Sequence, residues 1–140
     1  MTASRIWLLR SSEGPADPYE LRFSDAGYLP SSHPVLSFEN VNEDHLADAL
    51  GAPDRFSGVI LTSPRASARF LESLPGARLS EWKEKPVYAV GERTARDVDD
   101  SGFLTRGEDS GTGGVLAQLI AGSHSDDRPL LFLAGNRRRP

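Results

Sequence analysis

The sequence contains no cysteine, so disulfides, thiolate metal sites and cysteine nucleophiles are excluded together. Long apolar runs are missing as well. The run near the amino terminus covers only Ile6 to Leu9, which is shorter than a signal-peptide core and far shorter than a membrane span. We therefore expect a cytoplasmic protein that does not bind a membrane.

Charge of one sign is not in large excess. Sixteen Lys and Arg residues stand against 20 Asp and Glu residues, which gives a net charge of -4. Because no global field attracts nucleic acid, we expect no nucleic-acid partner, and an anionic ligand must be held by local groups. With 140 residues, 38% of them hydrophobic, the default is one globular domain with a real core.

Short apolar runs alternate with stretches of helical spacing along the chain. Continuous apolar runs are typical of strands buried on both faces of a parallel sheet. The rhythm therefore predicts an α/β fold with a flavodoxin-like parallel sheet, and a ligand outside the carboxyl ends of the strands. The predicted strands are residues 6–9, 34–38, 58–61, 86–90 and 130–133, with a weaker one at 103–105.

Four helices follow from apolar spacing and from cap residues. Two of them have apolar residues on one face, over residues 66–74 and 115–120. Asn42 is read as the N-cap of a helix that runs through Leu50 and ends at Gly51. The fourth helix covers residues 92–98.

Three strand-to-helix junctions carry hydroxyl residues where a parallel sheet presents its ligands. In the first, Thr62 and Ser63 precede Pro64 and Arg65. Ser63 fits a helix cap and Pro64 fits the first helical position, because proline has no N–H group to lose there. The junction is therefore either a well-capped helix or a cradle for a carboxylate.

The other two junctions leave the same alternatives open. In the second, Gly91 permits a tight exit from the strand and Thr94 lies in the first turn of the helix, where its hydroxyl either caps or faces a ligand. The third is the glycine-rich loop of residues 107–114, which is a flexible turn or a wrap of backbone amides around an anion. It matches neither a P-loop nor a dinucleotide fingerprint.

Other kinds of site find no support in the sequence. His33, His45 and His124 are too scattered for a metal centre, and a lone histidine in a polar stretch indicates a surface position. No nucleophile motif with a paired base is present, so hydrolase chemistry is not indicated.

Taken together, these segments resemble the uroporphyrinogen-III synthase family, and they follow one another in the family's order across nearly the whole chain. The resemblance rests on the segments as an ordered group, since no single motif decides it. The resembling segments are residues 17–19, 34–39, 61–66, 87–95, 107–108 with Gly111, and 130–136.

The resemblance implies a two-lobed α/β protein whose chain begins in one lobe, crosses through a short β-ladder near residues 34–39 and builds the second lobe. Residues 1–35 would form the first βα unit of a discontinuous lobe. Residues 36–140 would form the second lobe, without its last helix and strand and without the tyrosine that the family carries there. The full-length protein would be a monomer.

The resemblance also implies a reaction without metal or redox cofactor. Hydroxymethylbilane loses water from its terminal hydroxymethyl group and closes to uroporphyrinogen III with inversion of ring D, so the enzyme would be a hydro-lyase of haem biosynthesis. Thr94 matches a family position linked to turnover. The expected contacts to the carboxylate-rich substrate are Thr62, Ser63, Arg65, Ser110, Gly111 and Thr112.

Two other interpretations use the same fold. In the first, the chain is a non-catalytic module that binds tetrapyrroles or anions. In the second, it is an inactive truncated product. A receiver-like signalling domain is disfavoured, because it needs acidic residues at the ends of the first and third strands. Arg10 and Ser11 occupy the first of these places, and Thr62 and Ser63 the second.

Overall fold

The computed structural model describes residues 3–135 of the chain, so Asn136, which ends the last resembling segment, lies outside the described residues. Contacts divide the chain into two compact units, Met1–Val41 and Asn42–Pro140. Among residues 3–135, no helix has both the length and the apolar character needed to cross a bilayer.

Unit 1 is a small βαβ element. Strand β1 (Arg5–Leu8) and strand β2 (Leu29–Ser32) pair in parallel, and helix α1 (Pro18–Asp25) connects them. The helix begins at Asp17 because its side chain accepts hydrogen bonds from the Tyr19 and Glu20 amides, while Pro18 occupies the first helical position.

The prediction that residues 6–9 form a strand buried on both faces is wrong. Ile6 and Leu8 are half-buried, whereas Trp7 between them is 70% exposed. In the described residues the unit 1 sheet has two strands and α1 as its one helix, so alternate side chains of β1 face solvent.

The predicted strand at residues 34–38 is also wrong. Residues 33–41 form no strand, and Val35, Leu36 and Phe38 are at least 60% exposed. A strand needs a partner for its N–H and C=O groups, and none lies beside this segment within residues 3–135. The strand that pairs with β1 is β2, which the sequence hides because Leu-Pro-Ser-Ser is not an apolar run.

Unit 2 is built on a four-stranded parallel sheet in the order β5-β4-β3-β6. Its strands are β3 (Gly58–Leu61), β4 (Pro86–Ala89), β5 (Leu104–Arg106) and β6 (Leu130–Leu133). Each lies within two residues of a predicted strand, and the prediction of a parallel α/β sheet is confirmed. The fold is consistent with a flavodoxin-like one.

Five helices pack around this sheet or connect its strands. They are α2 (Glu43–Gly51), α3 (Pro64–Ser73), α4 (Leu79–Lys83), α5 (Glu92–Asp100) and α6 (Gly113–Ser123). One sheet face contributes Val59, Leu61 and Val87 to a core that also includes residues of α2, α3, α4 and α5. Tyr88 projects from the other face, where it contacts His124 at the end of α6.

Two details of the helices differ from the sequence-based expectation. Asn42 precedes α2, but it adopts a left-handed conformation (φ 57°) and its side chain makes no capping hydrogen bond. Helix α4 was not predicted, because five residues are too few to show a helical period. Its fully buried Trp82 donates from Nε1 to the Leu50 carbonyl at 2.9 Å, which ties α4 to α2.

Candidate active site

The three hydroxyl-bearing junctions lie at one edge of the unit 2 sheet. In the parallel register Leu61 pairs with Ala89, and Tyr88 pairs with Arg106, so β3, β4 and β5 end at nearly the same level. Thr62 directly follows the first of these strand ends, and Thr94 and Ser110 follow the other two. The expectation that these three residues share the carboxyl edge is confirmed.

The strand order also creates a switch point at this edge. The chain moves outward from β3 to β4 and β5, and then returns to place β6 on the other side of β3. Leu133 at the end of β6 pairs with Leu61. Open α/β sheets bind ligands in the crevice at such a reversal, and Thr62 and Ser63 follow the strand that borders it.

At the first junction Ser63 does cap its helix. The Ala66 amide donates to Ser63 Oγ at 3.2 Å, and Pro64 occupies the first helical position, as predicted. This hydroxyl oxygen accepts a hydrogen bond and keeps its own proton available to donate. Thr62 and Arg65 are exposed beside it.

At the second junction the cap is not Thr94. Gly91 occupies the N-cap position with φ 79°, and the Thr94 amide donates to the Gly91 carbonyl at 3.1 Å. Thr94 is only 3% exposed, in contrast to the exposed Thr62. The Thr94 side chain therefore lies almost entirely below the surface of this edge.

Ser67 links the first two junctions and was missed by the sequence reasoning. This fully buried residue of α3 donates from Oγ to the Thr94 carbonyl at 2.7 Å. The one local signal is its place four residues after Ser63, on the inward face of α3. The bond joins the first turn of α3 to the first turn of α5 and so holds the two junctions in a defined arrangement.

At the third junction two backbone amides donate hydrogen bonds within the loop itself. The Ser110 amide donates to the Gly107 carbonyl at 2.9 Å, and the Thr112 amide donates to the Ser110 carbonyl at 2.7 Å. These two amides are not free for an anion, so a wrap of backbone amides around an anion would have to use other N–H groups of the loop. Thr112 Oγ1 caps α6 by accepting from the Val115 amide at 3.3 Å. Gly113 in the first turn of α6 presents an N–H group without a helical acceptor.

Two polar atoms of this loop are buried without a hydrogen-bond partner in the described part of the chain, namely Glu108 Oε2 and Ser110 Oγ. Buried polar groups are almost always paired, so each such atom calls for a water molecule or a ligand group. A depression of about 230 Å³ adjoins the loop, between Glu108 and residues of α5 that include Glu92 and Arg96.

Unit 1 has a polar cluster of its own around Asp17. This fully buried side chain accepts from the Glu13 amide at 2.8 Å and pairs with Arg10 NH1 at 2.5 Å. The hydrogen bond from the Glu13 amide, followed by that from Arg10, lowers the pKa of Asp17 from 3.8 to about 2. Arg10 also lies over the Tyr19 ring, so the cluster fixes the chain between β1 and α1.

The expectation of a surface position for His124 is wrong. His124 is half-buried at the end of α6, with Tyr88 OH at 3.1 Å from Nδ1 and Ser57 Oγ at 2.9 Å from Nε2. Its partners are distant in sequence, which is why the polar stretch around it gave no sign of the contact.

Comparison with known proteins shows the family of the chain. The family model for uroporphyrinogen-III synthase HemD matches residues 17–140. The chain belongs to this family. Its relatives include the uroporphyrinogen-III synthase of Schizosaccharomyces pombe, 35% identical over 141 residues, and that of Saccharomyces cerevisiae, 32% identical over 150 residues.

These alignments cover most of this chain but only part of each relative. They include 94% and 96% of the chain, against 56% of the S. pombe protein and 54% of the S. cerevisiae protein. The chain thus spans about half the length of these uroporphyrinogen-III synthases.

Proposed function

We propose that this chain forms part of a uroporphyrinogen-III synthase, which closes hydroxymethylbilane to uroporphyrinogen III in haem biosynthesis. The observation that carries the proposal is the convergence of three hydroxyl-bearing strand-to-helix junctions at one edge of the sheet, beside the switch point between β3 and β6. The reaction is inferred from the names of the relatives. The hydroxyl and amide donors at the carboxyl edge are suited to bind its substrate.

The substrate carries eight carboxylates, and the chain has a net charge of -4. Oriented N–H and O–H groups must therefore do most of the binding. We assign this role to Thr62, Ser63 and Arg65 at the first junction, and to Ser110, Gly111 and Thr112 at the third. The buried, unpaired Ser110 Oγ supports the second assignment, because a ligand oxygen would satisfy it.

The reaction removes water from the terminal hydroxymethyl carbon and leaves an azafulvene. That carbon bonds to the substituted position of ring D, and the resulting spiro intermediate fragments and recloses with the ring inverted. No electron transfer is involved, so the protein must supply proximity, shape and a proton for the departing hydroxyl. We assign Thr94 to the turnover step.

The proposal also keeps the two-lobed organisation, with residues 1–35 in a first lobe and 36–140 in a second. A cytoplasmic location, a monomeric full-length protein and the absence of a nucleic-acid partner stay predictions. A non-catalytic module for tetrapyrroles is the competing function, and it would use the same edge without turnover.

Isomer analysis of the product from hydroxymethylbilane tests the proposal, with the spontaneous type I product measured beside it. We expect the protein translated from the whole reading frame to give type III product, and the 140 residues alone to give mainly type I. Bilane binding without type III product in both proteins would identify the non-catalytic module instead.

The role of Thr94 needs variants of the active protein. Thr94→Ala should lower kcat about tenfold or more, which corresponds to one charge-assisted hydrogen bond of about 1.5–3 kcal/mol, and Thr94→Ser should recover part of the rate. Ser101→Ala is the matched control, since it removes a hydroxyl from the far end of α5. An unchanged rate for Thr94→Ala would remove this hydroxyl from the mechanism.

A further inference from the structure

A second cavity lies at the opposite edge of the unit 2 sheet, and the proposed synthase function does not use it. Its volume is about 380 Å³. It opens where β3 and β4 begin and where α6 ends, whereas the three junctions follow the carboxyl ends of the strands. Arg106, the last residue of β5, lines it from the sheet face that carries Tyr88. The lining side chains that matter here are Ser57, Glu84, Lys85, Tyr88, Arg106 and His124.

The floor of this cavity is a chain of hydrogen bonds with one consistent proton arrangement. Ser57 Oγ donates to the Arg128 carbonyl at 2.7 Å, so it accepts from His124 Nε2–H at 2.9 Å. In a neutral imidazole, His124 Nδ1 is then the acceptor for Tyr88 OH at 3.1 Å. Tyr88 is fully buried and Ser57 is 4% exposed, so the floor is held rigidly.

Two cations beside this floor have no partner of their own. Lys85 and Arg106 side chains make no ion pair or hydrogen bond to any described residue. Arg106 pairs with Tyr88 in the β4–β5 register, and side chains of paired residues project from the same face of a sheet. The Arg106 guanidinium therefore lies on the face that carries the floor.

The carboxylates around the cavity only partly balance these cations. Asp126 is neutralised by Arg128, whose NH2 and Nε lie at 2.6 and 3.0 Å from it, and this pairing holds the pKa of Asp126 far below its usual value. Glu84 is then the one remaining carboxylate against Lys85 and Arg106.

The end of α6 adds little negative charge at this edge. Its C-terminal carbonyls carry partial negative charge, but two of them are satisfied locally. Ser123 Oγ donates to the Leu119 carbonyl and the His124 amide donates to the Ile120 carbonyl.

We propose that this cavity is a second binding site, specific for a phosphate group, either free phosphate or the head of a small phosphomonoester. Lys85, directly before β4, and Arg106 at the end of β5 supply two positive charges for a dianion, and charge-assisted donors on two separate segments suit its tetrahedral array of acceptor oxygens. The cavity shares no residue with the carboxyl edge, where the proposed function assigns carboxylate binding to hydroxyl and amide donors and to Arg65.

The test is a titration of the 140-residue chain with inorganic phosphate at constant ionic strength, followed by NMR. We expect saturable shifts of the His124 ring and of the Lys85 and Ser125 amides, with a Kd in the millimolar range, about 1 mM. Shifts that stay linear in phosphate concentration, or none at these positions, would overturn the proposal.

Charge variants decide which groups bind. Lys85→Gln and Arg106→Gln should each raise the Kd about tenfold, which corresponds to about 1.4 kcal/mol. Arg96→Gln is the control, because it removes a positive charge of α5 that, like Arg106, is exposed and makes no ion pair with a described residue, and that lies outside this cavity. If Arg96→Gln weakens phosphate binding as much, the loss of affinity comes from the changed net charge of the chain, and the proposed site does not exist.

Competing anions identify the ligand. Acetate at the same ionic strength should give no saturable shift, and equal binding of acetate would contradict a phosphate site. Glycerol 3-phosphate separates the two sources of the group: tighter binding than phosphate assigns the site to a phosphomonoester, and equal binding assigns it to the free ion.

Discussion

Substitution of Gly107 tests the close approach of the third junction to Leu116 of α6. Gly107 adopts φ +87°, and a Cβ atom added to it would overlap Leu116 Cδ1 and lie 3.3 Å from the Ala89 carbonyl oxygen. Gly107→Ala therefore meets two penalties, about 1–2 kcal/mol for a left-handed backbone and about 1–3 kcal/mol for overpacking. The unfolded chain offsets about 0.4–1 kcal/mol of this, so we expect a net loss of stability of about 1–5 kcal/mol.

Urea unfolding of the 140-residue chain gives the free energies, and two other glycines serve as controls. Gly111 has φ +66° with no atom within 4 Å of an added Cβ, so Gly111→Ala should cost about 1 kcal/mol from the backbone alone. Gly122 lies inside α6 with nothing within 4 Å, so Gly122→Ala should stabilise the fold by about 0.5–1 kcal/mol.

A double-mutant cycle isolates the contact with Leu116. Leu116→Ala should be costly alone, at about 2–5 kcal/mol, and less costly in the Gly107→Ala background, because the smaller side chain removes the overlap. If Gly107→Ala costs no more than Gly111→Ala, the close approach of the loop to α6 is refuted. Additive effects of the two changes would refute the direct contact.

Three further predictions concern single contacts. Because the Asp17 pKa is lowered, its contribution to unit 1 is complete above about pH 4 and is lost as the pH falls through about 2. The Tyr19 amide, which donates to Asp17, reports this titration, and a midpoint near pH 4 would contradict the prediction. Acrylamide should quench Trp7 fluorescence strongly and Trp82 weakly, and a single quenching class for both would show that their exposure differs less than described. In urea unfolding, Ser67→Ala should destabilise the chain by about 0.5–1 kcal/mol, because it removes the hydrogen bond to the Thr94 carbonyl. Ser73→Ala should be neutral or stabilising, because the buried Ser73 hydroxyl has no partner in the described residues.

Local signals were sufficient for most elements of unit 2 and for the edge that carries the candidate site. Ser63 caps α3 and Pro64 opens it, because these residues act on backbone groups within a few positions of themselves. Apolar runs predicted β3, β4 and β6, because a covered parallel sheet makes its strands apolar on both faces. Parallel strands then place the following junctions at one edge, so the shared position of Thr62, Thr94 and Ser110 followed from the chain order.

Features that depend on contacts between residues far apart in the sequence were decided only by the tertiary structure. Ser67 and Thr94 are 27 residues apart, and His124 lies 36 residues from Tyr88 and 67 from Ser57, so no local pattern reveals these hydrogen bonds. The same holds for the return of β6 to the side of β3, which creates the switch point, and for the burial of Thr94. Capping and apolar patterning act within a few residues of the chain, whereas strand neighbours and buried polar contacts exist only once distant segments pack together.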